Sequence, residues 1–237
     1  MIHHLALLLM APVFVVQGQY VRRNTPKLEE AWGPRSGSIG QGKPLRLLLI
    51  GDSAAAGVGV EHQSQALSGH LVNELADSFQ LEWNLVAESG MTTKAMSQQL
   101  VYQPRLPYDI VIASLGVNDV TQPISSMKWI EQQKVLVNQL RQRFSCQQII
   151  LTKIPPMEKF PALPHPLGWY LGNKAKSFNR QLAQWVIKEK DCDLIDINHQ
   201  LGAHHMATDG FHPGPAIYQY WGEAIAQVIK SRWMLEG

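Results

Sequence analysis

From residue 45 onward, short apolar runs alternate with longer stretches whose apolar residues recur at helical spacing. The runs cover residues 45–51, 83–88, 109–115, 148–154 and 193–197, and Ile, Leu and Val dominate them. Strands buried on both faces read this way, because neither face meets water. Helical patterns fall between and after them, at 65–78, 93–103, 125–144, 171–188 and 215–233. In the third, Trp129, Val135, Leu136, Leu140 and Phe144 recur near the helical period, with charged residues spread between them. Pro215 suits the first turn of the last helix, where its missing N–H costs nothing. Strands and helices in strict alternation predict an α/β fold, a five-stranded parallel sheet with right-handed crossovers covered on both faces. We therefore expect one domain over residues 45–237, preceded by an apolar segment and an irregular Pro- and Gly-containing linker over 1–44.

In an open parallel sheet, ligands bind beyond the carboxyl ends of the strands. The chemically suggestive residues all follow strands. Ser53 comes after the first, Gly90 after the second, Asn118 after the third, and Asp209 and His212 after the fifth. A Pro-rich segment, 155–168, follows the fourth. The loop Gly51-Asp-Ser-Ala-Ala-Ala-Gly-Val-Gly59 resembles a phosphate cradle at first sight, but its spacing excludes one. No GxxxxGK follows the strand, and His62 stands where a dinucleotide fingerprint needs its third glycine. The alternative is a slim turn around a nucleophile, Ser53. A serine needs a base, a group that orients the base, and donors for the oxyanion. Asp209 and His212 lie three residues apart in Thr208-Asp-Gly-Phe-His-Pro-Gly214, so one tight turn can bring carboxylate to imidazole. The amides of Ser53 and Gly90 and the side chain of Asn118 are candidate donors for the oxyanion.

These blocks together (Gly51-Asp-Ser53, Gly90, Gly116-Val-Asn-Asp119 and Asp209-Gly-Phe-His212) resemble the four sequence blocks of the SGNH, or GDSL-like, hydrolases, in that family's order. The resemblance covers residues 45–230. It implies a three-layer flavodoxin-like fold with sheet order 2-1-3-4-5. It also implies a Ser53–His212–Asp209 triad, an oxyanion hole of Ser53, Gly90 and Asn118, and hydrolysis of esters. Ala54 stands where many members carry Leu. The expected function is that of a serine esterase acting on short or medium acyl esters, or on lysophospholipid-like lipids, through an acyl-enzyme on Ser53. The alternatives are a carbohydrate O-acetyl esterase with the same triad and a non-catalytic binding protein of the same fold. Met157, Phe160, Leu163 and Trp169, in and just after the Pro-rich segment, are candidates for a substrate-binding wall.

Several other partners are set aside. The net charge of +2, from 21 Lys and Arg against 19 Asp and Glu, gives no basic face for nucleic acid. His204, His205, Asp209 and His212 match no common zinc spacing, and ligation would take away the base of Ser53. No metal and no cofactor is expected. Cys146 and Cys192 are expected as free thiols, although both precede strands and could be neighbours at one sheet edge. Residues 5–16 (LALLLMAPVFVV) are apolar, yet a spanning helix needs about 18 such residues. Arg22 and Arg23 follow the run and none precedes it, which argues against a cleaved signal peptide. We expect an uncleaved segment in peripheral contact with a membrane through 5–16, and a membrane-associated or cytoplasmic protein rather than a periplasmic or secreted one. A signal peptide and a segment packed on the domain are the alternatives.

Overall fold

The computed structural model describes residues 2–197 and 202–234 and, of the first helix, the side chains from Met10 onward. In chain order the elements are α1 (Ile2–Asn24), β1 (Ser36–Ile39), β2 (Lys43–Gly51), α2 (Leu67–Ala76), β3 (Phe79–Ala87), α3 (Thr93–Leu100) and β4 (Ile110–Ser114). They continue with α4 (Val117–Thr121), α5 (Ser126–Phe144), β5 (Gln148–Thr152), α6 (Leu167–Val186), β6 (Cys192–Ile195) and α7 (Pro215–Trp233). The sheet runs β1-β3-β2-β4-β5-β6, so β3 to β6 is the expected five-stranded parallel array in the expected order.

The sixth strand was not expected. β1 is the sequence Ser-Gly-Ser-Ile, inside the stretch read as irregular linker, and it pairs antiparallel with β3. It has four exposed residues and only one neighbour, so burial leaves no pattern on its sequence. β3 also begins at Phe79, four residues before the expected start. Its first half alternates buried Phe79 and Leu81 with exposed Gln80 and Glu82, as a half-covered strand should.

Successive residues of the inner strands face opposite layers. Leu48, Ile50, Val111, Ala113, Ile149 and Leu151 pack on the side of α3, α5 and α6, against Met96, Leu136 and Phe178. Leu47, Leu49, Ile110, Ile112 and Ile150 pack on the side of α2 and α7, against Leu71 and Ile225. Each such side chain contributes about 1.5–3 kcal/mol as an upper bound. Cutting the fully buried Leu47 to Ala would remove about 2–5 kcal/mol. Local signals set the helix ends. The Ser125 hydroxyl caps α5 by accepting from Lys128 N at 3.2 Å, and Ser145 closes it in the left-handed conformation. α6 starts at Leu167 rather than 171, which makes Trp169 and Tyr170 helical. Cys146 and Cys192 are free and buried.

α1 lies against α6. Gln17 Nε2 donates to the His165 carbonyl at 2.6 Å, its Oε1 accepts from Leu167 N at 3.0 Å, and Phe14 stacks on Tyr170 at 4.6 Å. The described part of the apolar segment thus has one side on the domain, while Val13, Val15, Val16 and Tyr20 stay exposed. No helix among the described residues is long and apolar enough to cross a membrane.

Candidate active site

The site is assembled where the parallel strands end. β2 leads into a coiled turn in which Ala56 N donates to Asp52 O at 2.9 Å and Val58 N to Ser53 O at 3.0 Å. The Asp52 carboxylate accepts from Ala54 N at 3.1 Å and so holds the turn around Ser53. Between β6 and α7, Asp209 starts a tight turn. One carboxylate oxygen accepts from the amides of Phe211 and His212 at 2.9 and 3.0 Å, and the other lies 2.6 Å from His212 Nδ1. His212 Nε2 lies 2.9 Å from Ser53 Oγ. Ser53, His212 and Asp209, 159 and three residues apart in pairs, therefore form one hydrogen-bonded chain. The two loops meet closely: a Cβ on Gly59, whose φ is +110°, would sit 2.2 Å from the Pro213 carbonyl. Tyr218 of α7 adds a tether, donating to the Val58 carbonyl at 2.7 Å.

The candidate oxyanion donors lie in the Ser53 turn itself and in the segments that follow β3 and β4. Among the described residues, neither Ser53 N nor Gly90 N donates to another backbone acceptor. Gly90 has φ +84° with open space around a notional Cβ, so the backbone conformation rather than crowding requires glycine there. Asn118 Nδ2 donates one hydrogen to the Met91 carbonyl at 3.0 Å, which aims the amide and leaves its second hydrogen available. Asp119 ties this side together. It accepts from Thr93 N and Thr93 Oγ1, both at 3.0 Å, while Trp129 and Gln133 donate to that same hydroxyl.

Burial and hydrogen bonding pull the three carboxyls apart. Asp209 is 5 % exposed, and burial alone would raise its pKa. The His212 ring and the two amides outweigh burial and hold it below the ordinary carboxylate range. Asp52, with one amide donor, is pushed up to about 7 by burial. Asp119 is also raised by burial, its hydrogen bonds from Thr93 notwithstanding.

A cavity of about 50 Å³ opens beside Ser53 and His212. The carboxyl ends of β4 and β5, the start of α7, Phe160 and Phe211 line it. Of the four wall candidates, Phe160 reaches the cavity and packs edge-on against Phe211 at 5.3 Å. Met157 and Leu163 are buried in the core on the α6 side, and Trp169 is 44 % exposed on α6. The Pro-rich segment folds back onto α6 and is held by Ala162 N donating to the Gly210 carbonyl, so most of its apolar side chains face the core. The rings of His204 and His205 lie 3.9 Å apart, tilted by 54°. No group of three or more His, Cys, Asp or Glu among the described residues is placed to hold a metal.

Two contributors leave no readable signal in the sequence. Glu30 Oε1 accepts from both the amide and the hydroxyl of Ser89, at 2.7 and 2.8 Å, next to Gly90. Arg35 pairs with Glu30 at 2.5 Å and donates to the Ala87 carbonyl at 2.7 Å. Both residues sit in a Pro- and Gly-containing stretch where charged side chains ordinarily mean solvent. Thr152 and Trp221 also line the cavity, and either could equally be read as a plain strand or helix residue.

The arrangement has relatives. A Myceliophthora fergusii carbohydrate esterase family 2 enzyme with its carbohydrate-binding domain superposes with TM-score 0.67 at 17 % identity, over 81 % of this chain and 67 % of that one. An aryl esterase of M. smegmatis superposes with TM-score 0.61 at 20 % identity, over 79 % and 99 % of the two chains. Est24, a carbohydrate acetylesterase from Sinorhizobium meliloti, does so with TM-score 0.61 at 18 % identity, over 79 % and 99 %. At such identities the likeness speaks for the fold. No curated protein matches the sequence. Residues 49–220 match the GDSL-like Lipase/Acylhydrolase family, well over half of the chain, and the chain belongs to that family of ester hydrolases.

Proposed function

We propose that this chain is a serine esterase that cleaves short-chain carboxylic esters through an acyl-enzyme on Ser53. The observation that carries this reading is the hydrogen-bonded chain Asp209–His212–Ser53 beside an apolar cavity. His212 Nε2 accepts the Ser53 proton as Oγ attacks the ester carbonyl, then returns it to the leaving alcohol. Water repeats the sequence in reverse and frees the acid. Asp209, ionised and buried, orients the ring and stabilises the imidazolium. Ser53 N, Gly90 N and the free hydrogen of Asn118 Nδ2 receive the oxyanion, where one such donor contributes about 2.7–4 kcal/mol.

Cavity size argues for a short acyl group. A water needs about 10–15 Å³ by this measure. The cavity therefore takes only a few water-sized groups, and a lysophospholipid chain would have to lie outside it. A second reading, hydrolysis of acetyl groups on carbohydrate, uses the same residues. The small cavity and the likeness to carbohydrate esterases favour it. The test is fluorophosphonate labelling of the intact protein, followed by an acyl panel of aryl esters beside acetylated sugars. Absence of label at Ser53 would leave a non-catalytic binding protein. Faster turnover of acetylated sugars than of any aryl ester would establish the second reading.

A further inference from the structure

Two residues of the cavity lining are chemically unlike the rest. The cavity is lined mostly by apolar residues: Leu115, Ile154, Phe160, Ile197, Ile217 and Met206. Yet Thr152 and Trp221 line it too, and the buried Thr152 Oγ1 and Trp221 Nε1 have no hydrogen-bond partner among the described residues. Both are more than nine-tenths buried, at 7 % and 2 % exposure. Their positions are structurally anchored. Thr152 ends β5 beside Ser114, one step beyond the Ala113–Leu151 pair, on the sheet face that α7 covers. Trp221 lies one turn into α7 from Ile217, with its ring parallel to that of Tyr218. The Asp52 carboxyl, 3 % exposed, lines the same cavity.

Leaving a buried N–H or O–H unpaired is destabilising. An indole N–H only donates, whereas a threonine hydroxyl both donates and accepts. A ligand hydroxyl has the chemistry both require: its oxygen accepts from an indole N–H, and it can exchange a hydrogen bond with a threonine hydroxyl. Asp52 adds a further acceptor, and burial keeps it partly protonated near neutral pH. The cavity should receive the acyl part. In the acyl-enzyme the acyl group stays while alcohol leaves and water enters beside His212, so the leaving side has to be open and the retained side can be closed.

Building on the serine-esterase reading above, we propose that Thr152 and Trp221 form a subsite for an oxygen on the acyl chain. The preferred substrates are then esters of short hydroxy acids rather than of plain alkanoic acids.

The experiment pairs isosteric para-nitrophenyl esters, hydroxyacetyl against propionyl and β-hydroxypropionyl against butyryl, each rate divided by uncatalysed hydrolysis. They are assayed with wild type, Thr152→Val and Trp221→Phe, each of which deletes the polar atom and keeps most of the volume. Fluorophosphonate labelling reports that each protein is folded and competent. Wild type is expected to favour one hydroxyacyl partner about tenfold in kcat/KM, and both substitutions to bring that ratio toward one. If Trp221→Phe fails to label, Thr152→Val carries the test alone. A wild-type ratio near one, or a preference that the substitutions leave intact, overturns the subsite and means that water suffices for these atoms. Loss of all labelling in wild type overturns the esterase reading itself, a result distinct from the other two.

Discussion

Two flanks of Ser53 are built by opposite means. On one side, Asp209 and His212 occupy a single turn, and every contact within the pair spans three residues or fewer. On the other, the Gly90 loop is held by Asp119, Thr93 and Trp129, and from outside by Glu30 and Arg35, residues 59 and 52 positions away from the groups they bind. The first flank carries its geometry in a local sequence block. The second draws on two separate blocks, around Gly90 and Gly116-Val-Asn-Asp119, and their meeting depends on the sheet being assembled. A misplacement there moves a donor without touching the proton path, so the two flanks should fail differently.

The largest effect belongs to the first flank. Ser53→Ala should lower kcat on a short aryl ester on the order of 10⁴-fold or more, with thermal melting unchanged within a few degrees. Retention of full turnover by that variant would remove the triad flank from the comparison altogether. Next comes the donor side: Asn118→Ala should cost roughly 10²- to 10³-fold in kcat, with less effect on KM. An equal loss in KM alone would make Asn118 a ground-state binder instead.

Glu30→Ala sharpens the comparison at the smaller scale of positioning. Without its two bonds to Ser89, Gly90 loses its outside support, and kcat should fall roughly tenfold while the melting curve moves little. Glu30→Gln, which keeps an acceptor, should recover part of that loss. A lower melting temperature with kcat intact would show that residues 30–35 only stabilise the fold.

The smallest effect is on stability against pH. Asp52 has its folded pKa raised to about 7, above the unfolded value, so its contribution is fully present below the unfolded pKa and is lost as pH rises through the folded one. Between about pH 6 and pH 8 denaturant titration should therefore show stability falling by roughly 1 kcal/mol, a fall that Asp52→Asn should flatten. Asp209 has the opposite sign. Its folded pKa is depressed, so its contribution is present above the unfolded pKa and disappears as pH falls through the folded one. Acid titration of Asp209→Asn should lack that part of the loss. Identical pH curves for wild type and both variants would refute this division of roles between the carboxyls.

The parallel core was legible because double-sided burial writes continuous Ile, Leu and Val runs, as in β4 and β5, and because crossover helices carry their own period. β1 was not, since an exposed edge strand is under no such constraint. The ends of β3 and α6 shifted for related reasons. Alternation hid the first half of β3, and prolines before Leu167 masked a helix that begins directly after them. The candidate wall shows the same limit in the site: Met157, Leu163 and Trp169 are apolar whether they face substrate, core or solvent, and only packing distributes them.

What the sequence by itself determined is the placing of the candidate residues: a Ser53 turn after the first parallel strand, an Asp–His turn after the last, and Gly90 and Asn118 after the strands between. Residue type and short spacing suffice for that, because a carboxylate three positions from an imidazole meets it within one turn. What only the tertiary structure decided is everything that depends on distance through space. That includes the reach of His212 to Ser53 across 159 residues, the brace from Glu30 to Ser89, and the buried Thr152 Oγ1 and Trp221 Nε1, which lack a partner among the described residues and belong to the lining of a cavity of about 50 Å³. Those contacts arise when separate elements are packed against one sheet, and no single stretch of chain contains the information that sets them.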